Sequence, residues 1–184
     1  MKKYTITALV LTLIAGVCAA LIATINLFTA PIIEKNNEEK KAKLCQEIFE
    51  SFDLDKSTSI QEGFSSDYVT EMIQAYDQSG KQLGWIFTVG GSNAYGAIEL
   101  IVGIDIEEKL AGVRFITNGQ SFSSETANHL DTQYKDNMTQ DDVLNLDLSK
   151  SDVTSGATYA SKLIRNLVSA AFDEVKLQSK GGTE

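Results

Sequence analysis

One short stretch gathers a carboxylate, small hydroxyl residues and a glycine: Asp152-Val153-Thr154-Ser155-Gly156-Ala157-Thr158. It lies where a polar segment gives way to a helical pattern that starts near Thr158 and runs to about Val175. The first amides of a helix carry N–H groups without carbonyl partners, and the macrodipole favours negative charge there. A phosphate or phosphoester therefore suits this position. Gly156 lets the backbone approach a ligand closely, Ser155 offers a hydroxyl donor, and the Thr158 hydroxyl is expected beside the anion-attracting start of the helix. Taken alone, Thr154-Ser155-Gly156 also reads as an ordinary helix cap. Ser155, His129 and Asp152 do not make a hydrolase triad, because no Gly-x-Ser-x-Gly elbow surrounds the serine.

Metal chemistry has few ligands to draw on. The chain holds 2 cysteines and 1 histidine. Cys18 lies within an apolar run and Cys45 follows 27 residues later, roughly 40 Å away along a helix, too far for a disulfide. Neither has a companion at metal-ligand spacing, so both read as small packed hydrophobes. His129 is expected at the surface, without a catalytic role.

The elements that must position these residues follow from periodicity. Tyr68 to Tyr76, Gln82 to Val89, Ala97 to Asp105 and Leu110 to Thr117 are rich in β-branched and aromatic residues and predict strands. Short turns join the first pair and the last pair, which favours antiparallel neighbours. Thr139 is expected to cap a short helix over Asp141 to Leu146. In the last helix, Ala160, Ile164, Leu167, Val168, Ala171 and Val175 form a core-facing stripe. The expected class is α+β: a twisted, mainly antiparallel sheet packed with helices.

Between Lys3 and Glu34 no residue is charged, and the 23 residues from Ile6 to Phe28 give roughly 35 Å of helix against about 30 Å of hydrocarbon. The apolar run is longer than a signal-peptide core, so it predicts a transmembrane anchor. Pro31, the only proline, is expected to mark the exit from the span, with Ile33, Leu44, Ile48 and Phe52 on one face of a juxtamembrane helix. Asp53 to Ser66 is expected to be a connecting loop. The resulting division is residues 1–33 as anchor, 34–66 as juxtamembrane helix and linker, and 67–184 as the main domain. All 25 acidic residues follow Ile33 and the net charge is −9, which disfavours nucleic acid and anionic lipid as partners. Lys2 and Lys3 face Lys35, Lys40, Lys41 and Lys43 across the span, so lysine counting leaves the orientation open.

Asp-x-x-Ser-Gly-Ala-Thr resembles the flavinylation motif of the FMN-binding domain in RnfG- and NqrC-type subunits of ion-translocating redox complexes. Ser-Gly-Ala-Thr arises by chance in a chain this long on the order of one per cent or less. The resemblance extends to Leu21 to Asn26 and Thr29 to Ile33 at the span exit, and to Tyr95-Gly96 before the third strand. It implies covalent FMN esterified to Thr158, with Ser155, Gly156, Ala157, Asp152, Tyr95, Gly96, Glu125 and Thr126 as cofactor-binding positions and Asp152 as a feature read by the flavin transferase. It also implies an N-terminus inside, a flavin domain outside the cytoplasm, and other membrane subunits of an electron transport complex as partners. The chain would be an electron-transfer subunit, closest to the RnfG kind, rather than an independent catalyst. A stand-alone flavin carrier and an anchored binding domain without flavin are the alternatives. Where the family usually has His-x-Glu-Thr-Pro-Gly-Leu-Gly, this chain reads Ser123-Ser124-Glu125-Thr126-Ala127-Asn128-His129-Leu130. Only Glu125-Thr126 is kept, so restoring Pro and Gly at Ala127 and Asn128 is expected to tune the flavin while leaving it attached.

Overall fold

The computed structural model describes residues 2–148 and 155–181. A long helix α1 (Lys2–Ile48) precedes strands β1 (Phe52–Ile60), β2 (Val69–Asp77), β3 (Gln82–Asn93), β4 (Gly96–Asp105) and β5 (Leu110–Asn118), then helices α2 (Ser123–Gln133), α3 (Gln140–Leu144) and α4 (Ser155–Gly181). The chain divides into two compact units, Met1–Lys40 and Lys41–Glu184.

In the first unit, large apolar side chains such as Leu13, Ile14, Ile22 and Phe28 are exposed around the helix. Such a helix has no core of its own and is long and apolar enough to cross a membrane. Its threonines need no water: Thr12, Thr24 and Thr29 donate to the carbonyls of Ala8, Ala20 and Ile25 at 2.9, 2.8 and 3.0 Å. Helix α1 runs through Pro31, although the proline gives up its own N–H and crowds the carbonyl four residues earlier.

The second unit is an antiparallel meander in the order β1-β2-β3-β4-β5, the α+β architecture that the periodicity predicts. Tight turns set the register. Asp77 Oδ1 accepts from the backbone N–H groups of Ser79 and Lys81 at 2.8 and 2.9 Å, and Asp105 Oδ1 accepts from those of Glu107 and Lys109, both at 2.9 Å. One sheet face, with Met72, Phe87, Val89, Leu100 and Val102, packs against the α4 stripe of Ala160, Ile164, Leu167, Val168, Ala171 and Val175. Every residue of that predicted stripe is buried. The other face, with Ile73, Ile86 and Ile101, is covered by Leu44, Cys45, Ile48 and Phe49. Gly103 permits this approach, since a Cβ there would stand 2.3 Å from Ile48 Cγ2. Burial among these groups pushes the Cys45 thiol up to about 12, so it packs as an inert hydrophobe.

Two segments differ from expectation. Phe52–Ile60 is a strand rather than a loop; it pairs with β2 through an irregularity between Asp53 and Thr58 and buries only Phe52. Ser123–Gln133 is helix α2. The shorter predicted helix is α3, where Thr139 and Asp142 form a capping box. Helix α4 starts at Ser155, three residues before Thr158.

Candidate functional site

Because α4 begins at Ser155, the amides of Ser155, Gly156 and Ala157 have no carbonyl one turn earlier within the helix. Thr158 is half-buried one residue further on. Cα–Cβ bonds in a helix tilt toward its N-terminus, so Thr158 projects its side chain back toward those first-turn amides. The hydroxyl thus belongs to the first turn of the helix rather than its start, with donor groups preceding it. Side chains of Ser155, Gly156 and Ala157, and all of Asp152 and Thr154, lie outside the described residues.

The next residue ties this turn to the sheet. Tyr159 is 55% exposed, its ring centroid lies 5.7 Å from that of Tyr95, and Tyr95 in turn lies 6.1 Å from Phe122. Lys162 Nζ stands 5.8 Å from the Tyr159 ring centroid. The fold therefore brings the Thr158 turn, the β3–β4 turn and the entry to α2 to one place. Two aromatic side chains suited to a planar aromatic ligand, Tyr159 next to Thr158 in sequence and Tyr95 against it, stand at this turn.

Backbone geometry at the β3–β4 turn is exacting. Gly96 has φ +139°, and a Cβ there would meet the Gly119 carbonyl oxygen at 2.0 Å, so only glycine fits. Tyr95 N–H donates to Asn93 Oδ1 at 2.8 Å, and Gln120 Nε2 donates to the Gly96 carbonyl at 2.6 Å. The Tyr95 carbonyl accepts from Ser121 through both its N–H at 2.9 Å and its hydroxyl at 3.2 Å. Asn93 and Gln120 escape sequence reasoning, although an asparagine two residues before Tyr95 is a turn signal of its own. Beside this turn, a hollow of ≈ 420 Å³ is lined by Gly90, Ser92, Ala97, Glu99 and Thr117 among others, a size in the range of small-ligand sites.

Glu125 and Thr126 sit in the first turn of α2. Glu125 is half-buried, and its carboxyl is held below the usual carboxylate range by hydrogen bonds from backbone and from Ser124. Thr126 is buried, and its hydroxyl donates to the Phe122 carbonyl at 2.6 Å. That bond fixes the segment carrying Phe122, whose ring touches Tyr95. His129 departs from its expected surface position: it is 3% exposed and lies 5.9 Å from Tyr134, ring to ring. Thr126, His129 and Leu130 share the buried face of α2, a spacing of three and four residues that marks an inward stripe. Neither ring nitrogen of His129 nor the Tyr134 hydroxyl has a partner among the described residues. Burial holds the His129 pKa down and pushes that of Tyr134 up.

Comparison with known families places both ends of this arrangement. Residues 1–48 match the RnfG N-terminal region, and residues 94–173 match the FMN-binding domain. The chain is an RnfG-type protein with an FMN-binding domain. No curated protein matches it. In this RnfG-type chain the FMN-binding match takes in the Tyr95 turn, β4, β5, α2, α3 and α4 as far as Asp173. Residues 49–93, which hold β1, β2 and β3, fall between the two matches. The groups present fit the cofactor: first-turn helix amides for a phosphate, the nearby Thr158 hydroxyl, aromatic faces for a ring, and for its polar edges Asn93 Nδ2 and Gln120 Oε1, both buried and without partners among the described residues.

Proposed function

We propose that this RnfG-type chain is a membrane-anchored electron-transfer flavoprotein with FMN held covalently on Thr158, serving as a subunit of an ion-translocating oxidoreductase complex. The observation that carries the reading is that the Asp152 to Thr158 motif ends on the first turn of α4, with Tyr159 against Tyr95. Attachment joins the Thr158 oxygen to the flavin phosphate as the phosphoanhydride of FAD breaks, AMP leaves and carries the hydroxyl proton away, and the chain gains FMN less one water. A flavin transferase supplies that step. Bound flavin accepts and gives electrons one or two at a time. The free amides of Ser155, Gly156 and Ala157 would neutralise the phosphodiester, while Tyr95 and Tyr159 would orient the ring and shield it from water. No protein nucleophile or base is required once the cofactor is in place. Residues 1–33 would anchor the chain, and the domain would lie outside the cytoplasm, where a tethered cofactor cannot be lost by dissociation.

Thr158→Val tests the reading directly. Valine is also β-branched with a similar helix cost, so the fold should persist. Co-expressed with a flavin transferase, the wild type should gain the mass of FMN less one water and fluoresce in a denaturing gel; the variant should do neither. Covalent flavin on the variant would move the site to another hydroxyl such as Ser155. A flavin-free wild type would remove the main support for electron transfer.

A further inference from the structure

Two amide side chains at the β3–β4 turn are left with polar atoms that the fold does not use. Asn93 spends its Oδ1 on the Tyr95 N–H, and Gln120 spends its Nε2 on the Gly96 carbonyl. Those bonds settle which end of each amide is which. A donor, Asn93 Nδ2, and an acceptor, Gln120 Oε1, remain, both buried and both without a partner among the described residues. Leaving such a group unpaired costs about 1–3 kcal/mol, and native folds tolerate few. The two also belong together: Asn93 pairs with Gly96 in the strand register, and Gln120 holds the carbonyl of that same Gly96. One donor and one acceptor therefore stand at a single turn, on either side of Tyr95 in the hydrogen-bond pattern.

A ligand that satisfies both must offer an acceptor next to a donor. A phosphodiester offers acceptors alone, and the methylated end of a flavin ring offers neither. The pyrimidine edge, with carbonyls C2=O and C4=O flanking N3–H, offers the required pattern. We infer that Asn93 and Gln120 read this edge, Asn93 Nδ2 donating to a ring carbonyl and Gln120 Oε1 accepting from N3–H. The inference rests on the FMN reading above and deepens it, because it assigns the ring's orientation to two residues outside the attachment motif. Tyr95 lies between them in sequence and contacts Tyr159, the neighbour of Thr158, so the attachment point and the polar pair meet across one aromatic contact. Reduction increases negative charge on the pyrimidine carbonyls. A donor held there favours the reduced flavin and raises its potential.

The test uses the full-length chain in detergent, loaded by a flavin transferase from FAD labelled with ¹³C and ¹⁵N in the flavin ring. Asn93→Asp keeps the Oδ1 that receives Tyr95 N–H and replaces only the donor. Gln120→Met keeps length and removes the acceptor together with the Nε2 donor to the Gly96 carbonyl, whereas Gln120→Glu removes that donor and keeps an acceptor, so only Gln120→Met should speed N3 exchange. All three should retain full covalent flavin by mass. Asn93→Asp should shift the C2 or C4 carbonyl resonance and lower the midpoint potential. Gln120→Met should make the N3 proton exchange at least about tenfold faster, the equivalent of losing one hydrogen bond of about 1.4 kcal/mol. Unmoved ring resonances, exchange and potential in loaded Asn93→Asp and Gln120→Met would overturn the edge contact, whether an internal water or the ribityl chain meets the pair instead. A wild type without flavin would sink the FMN reading itself, and mass alone distinguishes that failure.

Discussion

His129 is buried against Tyr134 with both ring nitrogens unpaired among the described residues, and burial depresses its pKa below the ordinary 6.5. The unfolded chain then binds a proton more readily than the folded one, so stability rises with pH through this window. Stability from neutral His129 is complete above about 6.5 and is lost as pH falls from there through the lower folded value. Carboxylates held below their usual range act in a separate, more acid window. Glu71 is one: burial works against its charge, but hydrogen bonds from Ser59 and Thr88 and the charge and contact of Lys41 prevail. Urea unfolding of the flavin-free protein between pH 7.5 and 5.5 should show a falling midpoint. His129→Phe, which keeps an aromatic ring against Tyr134, should flatten that slope while leaving the fall below pH 5 intact. An unchanged slope would place the titrating group elsewhere.

At the scale of elements, α2 shows how much of the site a sequence discloses. Its residues are mostly polar, and the resemblance directs attention to missing proline and glycine, so the segment reads as an altered loop. In the structure it is eleven residues of helix, Ser123–Gln133, and this changes the outcome expected of restoring those residues. Ala127 lies in the helix interior, where proline removes a hydrogen bond to the preceding turn and clashes with its carbonyl, costing about 3 kcal/mol; glycine at Asn128 adds about 1. The Ala127→Pro, Asn128→Gly variant should therefore lose about 4 kcal/mol in denaturant unfolding and release Phe122 from Tyr95, rather than merely tune the flavin. A stable double variant would mean that α2 re-forms as a loop without cost. Strands β2 to β5 are legible because burial on both faces demands β-branched residues, and the α4 stripe because all six of its positions are buried in the core that one sheet face helps to form. Edge strand β1 is not legible: Asp53, Leu54, Asp55 and Lys56 leave little alternation, and charges on an edge guard against further pairing. Thr158 and Gly96 can be found from their motifs, whereas Asn93 and Gln120 emerge only when unpaired buried atoms are counted.

For the whole molecule the open question is which side of the membrane holds the flavin domain. An apolar helix without buried side chains in its most hydrophobic stretch, together with the RnfG-type N-terminal match, makes α1 the anchor. Lysines on both flanks oppose one another in the positive-inside rule, and acidic residues contribute little to it. The acidic bulk that follows Ile33 keeps the domain away from anionic lipid on either side. On the proposed reading of a covalent FMN tether, which serves where free FMN is scarce, the expected arrangement is an N-terminus inside and Lys41–Glu184 outside. Single cysteines test this, since Cys45 is buried and protonated and Cys18 lies in the apolar helix, so a Cys18→Ser background leaves little competing reactivity. A cysteine placed at exposed Ser79 or Glu107 should react with a membrane-impermeant maleimide on intact cells to nearly the level seen after lysis. Labelling that appears only after lysis would put the domain in the cytoplasm and require an electron path on that side.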